Sequence, residues 1–407
     1  MNTESGVLTP VQQAVIDAVS PLQRHNPYDA YAVLRANGPF IPGPHDTHFV
    51  PCYEQAAAIL SDPRWSHAEE PELLHPDSDV ELPGSFLWME PPDHTRLRGL
   101  VSKAFTARRI EGMRSRTVQL VSDSLDKMLA AGDSDVVEEL AYPIPLTLIC
   151  ELLGVPADAH DHVRQISHGI ARGLDPDLLL SPDELAERTR CVNAFLEFFG
   201  ELTAQRRKDP RDDLITALVR ADDDGARLTP NELLGTLLIL VVAGHETTVN
   251  LIANGVLALL RNPAEFDRLR AEPALADVVP DEMLRYDAPV HLTTRTAHAE
   301  IEIAGRTFAP GEAVIVLLGS ANRDPAAFPD ADRLDIGRYA RGANKHLSLG
   351  LGLHYCLGAP LARLEMAEVM RAFATRVTGM TLLEEPPYRP NQVVRGMSEL
   401  RVRLEGK

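Results

Sequence analysis

The stretch Ser348-Leu349-Gly350-Leu351-Gly352-Leu353-His354-Tyr355-Cys356-Leu357-Gly358-Ala359-Pro360-Leu361-Ala362-Arg363 decides how this chain is read. It is a loop leading into a helix. Gly350, Gly352 and Gly358 permit tight backbone turns and close approach to a flat ligand, and the apolar residues around Cys356 exclude water. A thiolate at 356 would gain amide hydrogen bonds and the positive end of the following helix. Taken without its neighbours, a single cysteine is most often a small buried hydrophobe. A Cys/His hydrolase also places its nucleophile at a helix start, but His354 beside Cys356 does not make a dyad and leaves the glycines unexplained. Zinc is one ligand short, with His346, His354 and Cys356. Dinucleotide binding fails because Tyr355 stands where the third glycine of the fingerprint belongs.

Outward from this loop, the composition is that of an ordinary globular protein of 407 residues with room to bury a cofactor, as two subdomains or one composite fold. Asp and Glu outnumber Lys and Arg by 59 to 40, which disfavours a general nucleic-acid or anionic-membrane surface. The four cysteines, Cys52, Cys150, Cys191 and Cys356, are widely spaced. That spacing argues against a disulfide framework and fits a reducing cytoplasm. Met1 to Pro10 lacks signal-peptide blocks and no uninterrupted apolar run reaches membrane-spanning length, so a soluble protein is expected.

Apolar residues at helical spacing predict helices over Arg108 to Ala131, Ala186 to Lys208 and Thr229 to Leu260. Shorter strand signals lie at His48 to Pro51, Ala299 to Ile303, Ala313 to Leu318 and Leu400 to Leu404. The expected architecture is mainly α with small β-sheets. Thr229-Pro230-Asn231-Glu232 provides an N-cap, a proline at the first helical position and a glutamate three residues after the cap. The helix begun there should end before Asn262-Pro263. Its apolar run resembles a membrane span, but Gly244-His245-Glu246-Thr247-Thr248 interrupts the centre, so a buried helix with a polar middle is expected. Leu73 to Pro83 and Gly173 to Glu184 read as mobile surface loops that could form an access route.

Other motifs gain meaning from their order. Glu282-x-x-Arg285 alone is most often an exposed ion pair worth little. Pro91-Pro92-Asp93-His94-Thr95-Arg96-Leu97-Arg98 sets His94 and Arg98 on one helical face. Within Ala243-Gly244-His245-Glu246-Thr247-Thr248, small residues leave space, and Thr247 can donate to the Ala243 carbonyl and bend the helix locally.

In this combination, the chain strongly resembles the cytochrome P450 family from Asn26-Pro27-Tyr28 through the final strands. The family's cysteine loop runs aromatic, two residues, glycine, one residue, basic residue, one residue, cysteine, one residue, glycine. Leu349 departs from the usual phenylalanine. The resemblance implies one P450 domain over 1–407, with a β-rich N-terminal portion, a large helical portion, and haem b between the long central helix and the cysteine-loop helix. Cys356 becomes the iron ligand. His94, Arg98, Arg295 and His354 become partners of the haem propionates. Ala243, Gly244, Leu349, Gly350 and Gly358 approach the haem. Glu246 and Thr247 relay protons for dioxygen activation. Glu282, Arg285 and Arg338 brace the cysteine loop.

Leu87, Trp88, Leu240, Val290, His291, Leu292 and Met397 are positional candidates for facing a hydrophobic substrate. The implied reaction is monooxygenation, by hydroxylation or epoxidation. No flavin or nicotinamide fingerprint is present, so a ferredoxin and an NAD(P)H-dependent ferredoxin reductase are the expected electron source, with Arg338, Arg341 and Lys345 as a docking patch. A rival reading is a haem protein of this fold that binds, isomerises or recruits without oxygenating.

Overall fold

In the computed structural model, which describes residues 8–44, 46–68, 84–223 and 226–406, the long helix spans Pro230–Arg261. Its start follows the predicted cap. The Thr229 hydroxyl accepts the Glu232 amide at 3.2 Å, and the Glu232 carboxylate accepts the Thr229 amide at 2.8 Å. Asn262, held out of the helix by Pro263, ends it.

Two separate hydrophobic cores meet along this helix. Residues from Leu233 to Val242 pack with Ile149, Phe195, Phe199 and Leu153. Residues from Val249 to Leu259 pack with Leu125, Met283, Met366 and Phe373. The polar centre 243–248 falls between the two clusters, where neither claims the whole circumference. Among the described residues, this is the one helix long and apolar enough to cross a membrane, and 78% of its most apolar window is buried inside the protein.

Around it stand Arg114–Ala131, Pro143–Leu153, His160–Arg172, Pro182–Lys208, Val279–Tyr286 and Ala359–Arg376. The helix expected over 108–131 divides into Ala107–Gly112 and Arg114–Ala131. A five-stranded sheet takes the order 41–42, 48–50, 313–316, 293–297, 65–66. It is antiparallel except for the 48–50 and 313–316 pair. The sheet therefore draws on the latter part of the chain as well as the N-terminal portion, and it carries Arg295. A second sheet joins 377–382, 401–406 and 133–135.

The expectation of a mobile loop at Gly173 to Glu184 needs correction. Asp177–Leu179 forms a helical turn, and Pro182 already opens the next helix. Asp175 is buried, its carboxylate accepting the amides of Gln392 and Val393 at 2.8–2.9 Å. Leu73 to Pro83 lies outside the described residues.

Candidate active site

Two left-handed glycines shape the cysteine loop. Gly350 has φ +68° and Gly352 φ +65°, and a Cβ at 352 would come within 2.7 Å of the Leu60 carbonyl oxygen. The loop closes when the Cys356 amide donates to the Leu349 carbonyl at 2.8 Å and the Gly350 amide to Leu347 at 2.9 Å. Leu349 packs against the core beneath the loop. Gly358 has no left-handed requirement. Instead its amide and that of Ala359, which also donates to the Cys356 carbonyl at 3.5 Å, lie where they favour charge on the Cys356 sulfur, at the start of helix Ala359–Arg376. Burial pushes the Cys356 thiol up, against the pull of those amides and of Arg98 and Arg363. A bound cation would offset that burial, since metal coordination deprotonates a thiol outright.

Beside the loop lies a cationic cluster. His94 is buried at 2% exposure, and neither ring nitrogen has a hydrogen-bond partner. An imidazole buried this way is costly unless something other than protein satisfies it. Burial, then the neighbouring His354 and Arg98, push His94 down to about 4. The His94 and His354 rings lie 4.6 Å apart. Arg98 donates to the Tyr355 carbonyl, and Arg295 donates to Thr293 Oγ1 at 3.0 Å and the Thr294 carbonyl at 2.6 Å while its charge reaches His354. Two guanidinium groups and two imidazoles beside the half-buried Cys356 suit a cofactor carrying two carboxylates, and so fit haem.

Sequence reasoning missed Glu90 and His67. The Glu90 carboxylate lies 3.4 Å from His354 Nε2 and accepts the His67 amide at 2.9 Å. Neither residue stands in a motif that signals this role.

On the long helix, the Thr247 hydroxyl donates to the Ala243 carbonyl at 2.7 Å. Ala243 is exposed and Gly244 and Thr247 half-exposed, in the otherwise buried middle of the helix, so this face is open. At Gly244 a Cβ would stand 3.3 Å from Ile149. The Glu246 carboxylate is turned to a different set of partners. It accepts the Tyr142 hydroxyl at 2.8 Å and lies 3.3 Å from Arg389, 3.4 Å from His245 and 3.5 Å from His168. Burial opposes its charge, yet His168, His245 and Arg389 together hold it well below the usual carboxylate range. His168 is 56% exposed and, with Arg389, lines a cavity of about 390 Å³ open to the surface. Glu246 is thus a buried anion linked to solvent through a histidine and an arginine.

Glu282 and Arg285, expected to brace the cysteine loop rather than to stand as the exposed pair their spacing alone would suggest, are fully buried, with contacts at 2.7 and 2.8 Å. Arg338 joins at 3.2 Å and donates to the Pro329, Asp330 and Arg333 carbonyls. Arg338 is therefore removed from the expected docking patch. Arg341 is exposed and paired with Asp335, and Lys345 is exposed.

Among the substrate-facing candidates, Leu87, Trp88 and Val290 keep accessible surface. Leu240 and Leu292 are buried at 9% and 7% exposure. His291 is wholly buried and bonded to the Tyr31 hydroxyl at 3.0 Å, and Met397 is wholly buried in the core. Packing, rather than ligand contact, occupies those last two side chains. Among the described residues no three His, Cys, Asp or Glu side chains converge as a metal site, and His346 is turned to Asp281 at 3.0 Å.

Residues 39–377 match the family model described as Cytochrome P450. The chain is 40% identical to the cytochrome P450 monooxygenase PikC of Streptomyces venezuelae, covering 93% of this chain and 91% of that protein. It is 37% identical to the 6-deoxyerythronolide B hydroxylase of Saccharopolyspora erythraea, covering 93% and 96%. Among solved structures, ligand-free CYP164A2 of Mycobacterium smegmatis superposes with a TM-score of 0.88 at 35% identity over 96% of this chain and 99% of that one. P450BioI, solved with an acyl carrier protein ligated to hexadec-9Z-enoic acid, gives 0.84 at 34% identity over 94% and 98%.

Proposed function

The chain belongs to the cytochrome P450 family, and from that premise we propose that it inserts one atom of O2 into a small-to-medium hydrophobic molecule, by hydroxylation or epoxidation. We take it to work as one domain in the cytoplasm, in secondary, xenobiotic or lipid metabolism, with electrons from a ferredoxin and its NAD(P)H-dependent reductase. The observation that carries the reading is the Cys356 sulfur met by two helix-start amides, beside a buried His94 whose ring nitrogens are both unpartnered. When bound, haem b supplies an iron with thiolate donation, which favours O–O cleavage. Cys356 would hold it at the sulfur, and His94, Arg98, Arg295 and His354 would meet its carboxylates. The test is a thiolate-type spectrum of the reduced carbonyl complex, followed by NAD(P)H consumption coupled to an oxygenated product. Absence of that product with intact spectra would favour the non-oxygenating reading. One relative is named for polyketide biosynthesis, PksS of Bacillus subtilis, and another is a 6-deoxyerythronolide B hydroxylase, so a substrate screen begins with polyketides and that compound.

The proton side follows from Thr247 and Glu246. Thr247 presents a hydroxyl on the open helix face, its proton held by Ala243, while Glu246 holds charge behind it with a route to solvent through His168. Glu246→Gln keeps the shape and removes the anion. Turnover should fall roughly 100-fold, with reducing equivalents diverted to peroxide, as expected for loss of a positioned proton-relaying group. Peroxide assays alongside product analysis check this.

Folding stability gives an independent readout with a defined sign. A carboxylate held below its ordinary value of 4.5 stabilises the fold above that pH, and the benefit is lost as pH falls through the folded value. The gap in melting temperature between wild type and Glu246→Gln should therefore be full above about pH 4.5 and shrink below it. A gap that widens on acidification would contradict the charged assignment.

A further inference from the structure

Glu246 draws two of its partners from different walls of one cavity. His168 comes from helix His160–Arg172, and Arg389 from a hairpin formed by 387–398. The cavity of about 390 Å³ lies between them, with Arg172 and Glu184 beside His168, and Pro390 and Asn391 beside Arg389. In the hairpin the Ser398 amide donates to the Pro387 carbonyl and the Arg389 amide to the Gly396 carbonyl, both at 2.9 Å. Its returning arm is fixed on its own. Arg395 is buried and donates to Asp287 at 2.5 Å and to the Arg24 carbonyl at 2.7 Å, and Met397 lies in the core. At Gly396 a Cβ would fall 1.7 Å from Asn250 Oδ1, so this arm lies flush against the long helix one turn past Glu246. The outgoing arm, which carries Arg389, has a different anchor. Asp175, 1% exposed, accepts the Gln392 and Val393 amides at 2.8–2.9 Å, and Arg172 grips the same carboxylate. Burial pushes the Asp175 carboxyl up, against the pull of those two amides and of Arg172 and Arg24.

We propose that Asp175 is a positioning residue for the proton relay, tying the helix end that carries His168 to the hairpin arm that carries Arg389 so that both stay on Glu246. The inference rests on the relay reading of Glu246 and deepens it. Each end of the tie lies close in sequence to a Glu246 partner. Arg172, which holds Asp175, stands one helical turn beyond His168, and Gln392 follows Arg389 by three residues. A span of three residues reaches at most about 10 Å, so a shift at 392 is felt at 389. Freed from Asp175, the helix end and the hairpin arm can part across the cavity. Glu246 then keeps Tyr142 and His245, which come from the other side, and loses its path to solvent.

The experiment is a double-mutant cycle on the haem-loaded enzyme, read as urea midpoints and, separately, as the division of reducing equivalents between product and peroxide. Asp175→Asn keeps the size, but its one oxygen has two lone pairs for three donors, so it can hold the hairpin or the helix and not both. Sites that share no partner add, whereas members of one network do not, so the midpoint loss caused by Glu246→Gln should fall to about half in the Asp175→Asn background. Arg172→Gln breaks the same tie from the helix side, at a less buried position, and should shrink that loss in the same way. Asp213→Asn is the control. Asp213 is also buried against an arginine and a backbone amide, Arg206 at 2.5 Å and Thr216 at 2.8 Å, but it sits beside Gly154, at the opposite end of helix Pro143–Leu153 from Tyr142. In that background the Glu246→Gln loss should stay whole.

Turnover of Asp175→Asn should fall about tenfold with more peroxide and an unchanged carbonyl spectrum, as for a small misplacement of a catalytic group. The double variant should divert no more than Glu246→Gln alone. A merely structural residue would cost stability and leave the division between product and peroxide as it is. Additive midpoints for both Asp175→Asn and Arg172→Gln, or equal non-additivity with Asp213→Asn, overturn the tie. Peroxide raised by Glu246→Gln but not by Asp175→Asn or Arg172→Gln keeps the relay and overturns the positioning role. Non-additive midpoints with peroxide unchanged in every variant, Glu246→Gln included, sink the relay and leave the tie standing.

Discussion

Cys356→Ser is expected to keep the cofactor-free fold within about 1 kcal/mol of wild type, while the thiolate-type spectrum of the reduced carbonyl complex disappears. The two outcomes separate because different atoms govern them. The loop is held by backbone bonds that the substitution leaves alone, from Cys356 to Leu349 at 2.8 Å and from Gly350 to Leu347 at 2.9 Å. A serine oxygen can also accept from the amides of Gly358 and Ala359, so no buried donor is orphaned. What is lost is the soft, ionisable sulfur, since an alcohol at this site does not become an anion at neutral pH and donates far less charge to iron. Turnover should fall by more than about 100-fold, beyond the effect usual for residues that merely support a metal ligand. Circular dichroism melts and carbonyl difference spectra on the same preparation check both halves. A variant that retains the parent spectrum removes the sulfur at 356 from the cofactor assignment, and with it the proposed chemistry.

What could be read ahead of the structure was what local chemistry dictates. The cap at Thr229 and the stop at Asn262 follow from residues three apart or adjacent, and the long helix begins and ends at them. The glycines of the cysteine loop announce its turns, because only φ beyond the reach of other residues explains two of them so close together. Burial is another matter. Glu282 and Arg285 at a spacing of three look the same on a wet face and in a dry core, and only the packing of distant segments puts the pair out of water. The partners of Glu246 come from Tyr142, His168 and Arg389, separated from it by up to 143 residues, and no periodicity links them. His291 and Met397 misled for the converse reason. Each follows from its place along the family's pattern, but tertiary packing spends the first on Tyr31 and the second on the core. Arg338 looked like a surface cation because it sits among others, yet its guanidinium is consumed by three carbonyls and Glu282.

That buried trio yields the other large expected effect. In Glu282→Ala, Arg285 and Arg338 should keep their carbonyl acceptors and lose the one anion between them. Two guanidinium charges would then face each other out of water. Removing one member of a buried ion pair costs about 3–5 kcal/mol, a large share of the roughly 5–15 kcal/mol that holds a folded protein together. The damage should not stay local. Glu282 also accepts the Asp335 amide at 2.9 Å, and Arg285 donates to the Asn322 carbonyl at 3.0 Å. The Asn322 side chain in turn accepts the Leu347 amide and donates to the Ser348 hydroxyl, both at 2.7 Å, and Ser348 donates to the Leu284 carbonyl at 2.6 Å. Leu347 and Ser348 are the entry to the cysteine loop, so loosening Arg285 frees the strand of chain that carries the sulfur. Urea unfolding of the variant should give a markedly lower midpoint, and haem stoichiometry after purification should fall with it. Glu282→Gln, which keeps the shape and one acceptor but not the charge, should lie between. A Glu282→Ala protein with wild-type midpoint and full haem content would mean that the trio does not brace the loop, since no other described group could replace the carboxylate between two arginines buried so completely.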